Sequence, residues 1–115
     1  MKVLGLVRDL FFRSKIDAVA NVLKNVEVVY ASNLEIARSR CGENSPSVVF
    51  ADLSDEKFPP DDVIGLIRGA APDARLIGFA SHVDLKSMKA AKDAGFGRVM
   101  SRQEFTAELP KLLSE

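Results

Sequence analysis

Val48-Val49-Phe50-Ala51-Asp52 is a run of four apolar residues closed by a carboxylate. Continuous hydrophobicity over so short a stretch, rich in β-branched and aromatic side chains, reads as a strand buried on both faces of a parallel sheet. Three other stretches repeat the design. Val3-Leu4-Gly5-Leu6-Val7 ends in Arg8-Asp9, Leu76-Ile77-Gly78-Phe79-Ala80 ends in Ser81-His82, and Val99-Met100 ends in Ser101-Arg102. In open α/β sheets, function gathers outside the carboxyl ends of the strands. Four distant pieces of sequence are therefore expected to meet in one small polar site.

Helical patterns fill the gaps between these strands. Phe12, Ile16, Val19, Ala20 and Leu23 fall on one apolar stripe. Val26 to Ala31 reads as a second strand. Ser32-Asn33-Leu34-Glu35 has the form of a capping box, opening a helix to about Arg40 that Gly42 can end. Pro46 precedes the third strand, Ser47 to Asp52, and Leu53 to Pro59 reads as loop. Pro60-Asp61-Asp62 suits a first helical turn, with Val63, Ile64, Leu66 and Ile67 inward and Gly69 as the stop. Arg75 to Ala80 is the fourth strand. Asp84 caps a helix to about Ala94, with Leu85, Met88 and Ala91 inward and Gly95 after its end. Val99-Met100 is a short fifth strand, and Phe105, Leu109, Leu112 and Leu113 form a last helical stripe. Pro110 lies inside that stripe, so the helix is expected to start late, near Thr106 or Leu109, or to kink.

Five β-α units with right-handed crossovers place helices on both faces of a parallel sheet. The expectation is one α/β domain over residues 1–115: a flavodoxin-like, doubly wound, five-stranded parallel sheet of order 2-1-3-4-5 with five helices.

Composition narrows the function classes. With 115 residues, 47% of them hydrophobic, the chain has enough material for one core. Sixteen basic residues balance sixteen acidic ones, which leaves no basic excess for nucleic acid. No apolar stretch approaches the ~20 residues needed to span a membrane, and the apolar run near the N-terminus is too short for a signal peptide. With the lone Cys41, this points to a reduced, cytoplasmic setting.

Asp9 and Asp52 end neighbouring strands, and two carboxylates there are a candidate pair for a hard divalent cation. Asp9 also stands just before a helix, where it is placed to cap it. Arg8 and Arg102 follow directly on apolar strands; Arg8 is placed to pair with Asp52 and supply a fixed positive charge. Ser81 and His82 sit in a loop over the same site. They are sequence neighbours, a poor arrangement for a triad with Asp52, and no nucleophile elbow is present, so the chain is not read as an enzyme. Phe11 falls off the helical stripe, either packing under a loop or belonging to a partner surface.

At these residues the chain resembles the receiver domains of bacterial two-component signalling, over essentially its whole length. The resemblance places the phosphoryl acceptor at Asp52, in Val49-Phe50-Ala51-Asp52-Leu53. Arg68 follows Asp52 by 16 positions and Arg102 follows Ala80 by 22, and Ala94-Gly95 precedes strand five, as the family's spacing requires. The departures are specific. The family's two adjacent acids are Arg8-Asp9 here. Its strand-four hydroxyl is Ala80, followed by Ser81. Its strand-five lysine is Arg102, with Gln103 in place of proline. Its Met-Pro beyond the acceptor is Asp55-Glu56, and its aromatic switch position is Val99.

The resemblance with these departures implies an atypical, stand-alone receiver-like domain. It would act in signal transduction through protein–protein interaction, with phosphorylation weak or absent and no cofactor beyond weak Mg²⁺ at Asp9 and Asp52. Implied partners are a histidine kinase, a downstream signalling protein or a second copy of the chain, the last through a fixed surface around Val99, Phe105 and Leu109. The alternatives are a working receiver phosphorylated on Asp52 with Mg²⁺, and a small-molecule sensor using the same cleft.

Overall fold

The structure, a computed structural model, describes residues 1–114. Five strands alternate with five helices: β1 (Lys2–Leu6), α1 (Leu10–Val22), β2 (Glu27–Tyr30), α2 (Leu34–Asn44), β3 (Val48–Asp52), α3 (Pro60–Ala70), β4 (Arg75–Ala80), α4 (Leu85–Ala94), β5 (Arg98–Ser101) and α5 (Arg102–Leu112). The strands form one sheet in the order β2-β1-β3-β4-β5, as the sequence predicts. All four pairings are parallel; Leu6 lies opposite Ala51, Asp52 opposite Phe79, and Ala80 opposite Ser101.

Alternation along the strands divides the core. Leu4, Leu6, Val49, Ala51, Leu76 and Ala80 face one layer, covered by α2, α3 and α4. Val3, Val48, Phe50, Ile77, Phe79 and Met100 face the other, covered by α1 and α5. Phe12 and Phe105 reach into that second layer and stack on Phe79 with ring centroids 4.9 and 4.4 Å away. Phe50 meets Phe105 edge-on at 4.8 Å. Gly78 lets Leu53 and Phe96 close onto β4. A Cβ there would lie 2.6 Å from Leu53 Cδ1 and 3.0 Å from Phe96 Cδ2.

Several helix ends differ from the sequence expectation. Asn33, not Ser32, caps α2, accepting from the Ile36 amide at 2.8 Å. The helix runs through Gly42 and ends at Ser45, which takes the left-handed conformation with φ 47°. α3 likewise runs through Gly69. A glycine inside a helix costs only about 1 kcal/mol, which the burial of Ala37 and Cys41 in α2, and of Ile67 in α3, outweighs. α5 starts early rather than late. Ser101 and Glu104 form a reciprocal capping box at its head, and Pro110 falls in its last turn, where it forfeits little more than the bond to the Thr106 carbonyl. Leu85, expected inward, is 69% exposed, and Ala91 is the residue α4 buries fully.

Candidate functional site

Asp52 ends β3 at the carboxyl edge of the sheet and is 6% exposed. Its carboxylate accepts the Ser54 amide at 3.1 Å. The chain then turns tightly: the Asp55 amide donates to the Asp52 carbonyl at 3.2 Å and the Phe58 amide to the Asp55 carbonyl at 3.0 Å. That turn swings Asp55 back over the edge and buries Phe58 beneath it.

β1 delivers Arg8 and Asp9. Arg8 donates from Nε and Nη2 to the two carboxylate oxygens of Asp55, at 2.6 and 2.8 Å. Its expected partner was Asp52. Asp55 wins because the turn after Asp52 brings its carboxylate edge to edge with the guanidinium fork, in the bidentate geometry that makes such pairs strong. Asp9 caps α1, one carboxylate oxygen accepting from the amides of Phe11 and Phe12 at 2.9 and 3.2 Å.

Arg102 opens α5 just beyond β5. Its Nη2 lies 3.4 Å from both oxygens of Asp52. The guanidinium carbon sits 5.4 Å from the Phe12 ring centroid, so one face of the charge rests on the aromatic stack. Its Nε is buried without a hydrogen-bond partner.

β4 brings Ala80 to the same edge, fully buried and without a hydroxyl. The following loop is tied across the site. The Ser81 amide donates to Ser54 Oγ at 3.1 Å, and Ser54 Oγ donates to Asp84 at 3.0 Å. Asp84 in turn caps α4 at Ser87. Val99 is half buried against the layer covered by α3 and α4.

Electrostatics follow the burial. Burial pushes the Asp52 carboxyl above its ordinary value, against the opposing pull of Arg102 and the Ser54 amide. The hydrogen bond from Arg8 holds Asp55 below its ordinary value, and the same bond raises Arg8. Asp84 is lowered by its bonds from Ser87.

Arg8, Asp52, Ser54, Asp55, Glu56 and Arg102 line one cavity of about 350 Å³. Asp9, Ser81 and His82 line an adjoining groove, also walled by Phe11, Lys15 and Arg102. Arg102 borders both. Phe11 is 74% exposed and packs under no loop. Phe105 and Leu109 are fully buried, so the surface expected around Val99, Phe105 and Leu109 does not form. Ser54, and the pairing of Asp55 with Arg8, are what sequence reading missed. Their only signal was the close spacing of three acids in Asp52-Leu53-Ser54-Asp55-Glu56.

The donor set suits a divalent cation poorly. Asp52 already faces a guanidinium with both oxygens, Asp9 holds two amide protons, and Arg8 stands where a second acid would be needed. Among the described residues no three His, Cys, Asp or Glu side chains gather closely enough to hold a metal ion. No helix of the described residues is long and apolar enough to cross a membrane.

No protein-family model matches the chain. No curated protein matches it either. Solved structures do. A response regulator from Hahella chejuensis aligns with a TM-score of 0.84 at 15% identity, over 98% of this chain and 92% of that one. The receiver domain of a Pseudomonas aeruginosa sensor histidine kinase, with a magnesium ion coordinated in its active-site cleft, aligns at 0.80 and 14% identity, over 98% and 93%. An orphan response regulator of H. pylori aligns at 0.78 and 13% identity, over 99% and 94%. The chain has the fold of response-regulator receiver domains.

Proposed function

We propose that the chain is a receiver-type signalling domain, not an enzyme, whose carboxyl-edge site is closed by its own ion pairs. It acts by binding protein partners, a histidine kinase or a downstream signalling protein among them, and phosphorylation of Asp52 is weak or absent. The observation that carries this is Arg102 astride Asp52, with Arg8 clamped on Asp55 beside it.

Phosphoryl transfer to a carboxylate needs positioning and neutralisation of the transferred group's charge. In this chain the positive charge is spent on Asp52 and Asp55 themselves. A unit charge about 4 Å away is worth on the order of 4 kcal/mol at an effective dielectric of 20. A third of that lowers cation affinity about tenfold, so Mg²⁺ binding at Asp9 and Asp52 is expected to be weak. The switching parts are altered as well. Ala80 offers no hydroxyl to a phosphoryl oxygen, Val99 has no ring to reorient, and the Ser81–Ser54–Asp84 bonds tie the loop down. A ligand shifts an equilibrium only through differential contacts with its two states, and these residues supply none. The buried, unpaired Cys41 is in keeping with a cytoplasmic location.

A second reading is favoured by one distance. The Arg102–Asp52 contacts of 3.4 Å are longer than the ~2.7–2.9 Å of a strong charge-assisted bond. An arginine held that loosely and 40% exposed is free to move aside, leaving Asp52 to accept a phosphoryl group with Mg²⁺. Nothing comparable favours a small-molecule sensor in this cleft, since every residue lining it is polar or charged, whereas ligand pockets are mostly apolar.

Amide NMR spectra during Mg²⁺ titration, then with beryllofluoride, separate the two. The closed site predicts no saturable shift at Asp9 or Asp52 at low millimolar metal and coincident spectra with beryllofluoride. Saturation, with shifts spreading along α4 and β5, would establish the working receiver. Replacing Arg8 by Asp together with Ala80→Thr is expected to restore metal binding.

A further inference from the structure

The groove beside the Asp52 cavity has a volume of about 640 Å³ and lies between the first turns of α1 and α5 and the loop that follows β4. Phe11, with buried Phe12 and Ala107, forms its apolar side. Phe11 is 74% exposed. Its neighbour one helical turn on is Lys15, whose Nζ lies 5.4 Å from the ring centroid. Lys15, Ser81, His82 and Gln103 form the polar side. Among the described residues, the side chains of Lys15, His82 and Gln103 make no hydrogen bond or ion pair. The other charges of the groove are engaged: Asp9 accepts the Phe11 and Phe12 amides, and Arg102 faces Asp52. Lys15 is left as a cation on an exposed ring, with no counter-charge among the described residues.

We propose that this groove binds a small planar aromatic carboxylate, its ring against Phe11 and its carboxylate on the Lys15 ammonium. The volume falls within the ~300–1,000 Å³ range of ligand pockets, and an apolar wall facing a few polar groups is their usual build. An exposed phenyl ring offers a second ring an offset or edge-on contact. The ammonium beside it only donates, so a ligand has to bring the acceptor. A carboxylate brings acceptor and counter-charge together, in a charge-assisted bond. A neutral ring would leave Lys15 unpaired, and a small anion would leave Phe11 in water. A ring with its own carboxylate satisfies both side chains, which one helical turn holds together. His82 and Gln103 supply further hydrogen-bonding groups from the facing loop and helix. The groove shares only Arg102 with the Asp52 cavity, and binding in it stands whether or not Asp52 accepts a phosphoryl group.

The probe is naphthoate, titrated into the whole chain and followed by amide NMR. Acetate tests the charge alone and naphthylmethanol the ring alone. Saturable shifts centred on Phe11, Lys15, Ser81, His82 and Gln103 are expected, with acetate and naphthylmethanol each binding about tenfold more weakly or worse. Phe11 and Lys15 are both exposed, so Phe11→Ala and Lys15→Gln should each weaken naphthoate several-fold with an unchanged fold by circular dichroism. Added salt should weaken binding to the parent and change it little in Lys15→Gln. Equal binding of naphthylmethanol or acetate, no loss in either variant, no saturation, or shifts centred elsewhere would overturn the proposal. Shifts of the same amides with protein concentration alone would seat a second copy of the chain in the groove and overturn it as well.

Discussion

Replacing Arg102 by Met keeps most of the apolar stem against Phe12 and removes the charge over Asp52. Asp52 has an 8% exposed side chain and Arg102 a 40% exposed one. At roughly 4 Å between charge centres the gross attraction is on the order of 4 kcal/mol at an effective dielectric of 20. Long contacts and exposure of the arginine reduce the net value. Fully exposed pairs are worth about 0–1 kcal/mol, and breaking a fully buried pair costs about 3–5. A loss of about 1–2 kcal/mol at pH 7 is expected for a pair with one buried and one half-exposed member.

The loss has a sign with pH. Burial already raises the Asp52 carboxyl above its ordinary 3.8, and without Arg102 it rises further. A carboxyl raised in the folded state destabilises the fold above its folded value and costs nothing below its unfolded one. The difference between Arg102→Met and the parent should therefore shrink as pH falls toward about 4. Urea unfolding at both pH values reads it, with equal m-values confirming the same two states. In an Asp52→Asn background the same substitution should cost less than about 0.5 kcal/mol, giving a coupling of about 1 kcal/mol. An equal loss at both pH values, or no coupling with Asp52, would show that Arg102 only packs on Phe12, and would remove the main support for a closed site.

Three further outcomes are expected. Gly78→Ala should destabilise by about 1–3 kcal/mol in thermal or urea unfolding, because the new methyl meets Leu53 and Phe96 at 2.6 and 3.0 Å. Ser101→Ala breaks the capping box of α5 and should cost about 1 kcal/mol by the same measurement, with Arg102 less well placed. Asp55→Asn removes the charge that clamps Arg8; Arg8 should then turn toward Asp52, and NMR titration should show the Asp52 carboxyl moving down from its raised value.

Strand order and both core layers were legible because burial on two faces leaves an unbroken apolar run, and Val48–Ala51 and Leu76–Ala80 carry one each. Helix ends were less so. Gly42 and Gly69 look like stops, yet tertiary packing of Cys41 and Ile67 carries the helices past them. Ser101-Arg102-Gln103-Glu104 carries the same capping-box pattern as Ser32-Asn33-Leu34-Glu35, whereas Pro110 argues for a later start. The ion pairs were the least legible part. Adjacency to strands brought Arg8 and Arg102 to the edge, but partner choice depends on the turn after Asp52. That turn is fixed by the Asp55 and Phe58 amide bonds and by Phe58 burying itself in a stretch read as loop. Phe105 and Leu109 illustrate the converse: a helical stripe names the inward face, and residues on it are not available as a surface.

The most direct test of a closed acceptor site is intact-mass spectrometry of the chain after incubation with acetyl phosphate and Mg²⁺. The unmodified mass is predicted. A mass gain of one phosphoryl group that disappears in Asp52→Asn would contradict it.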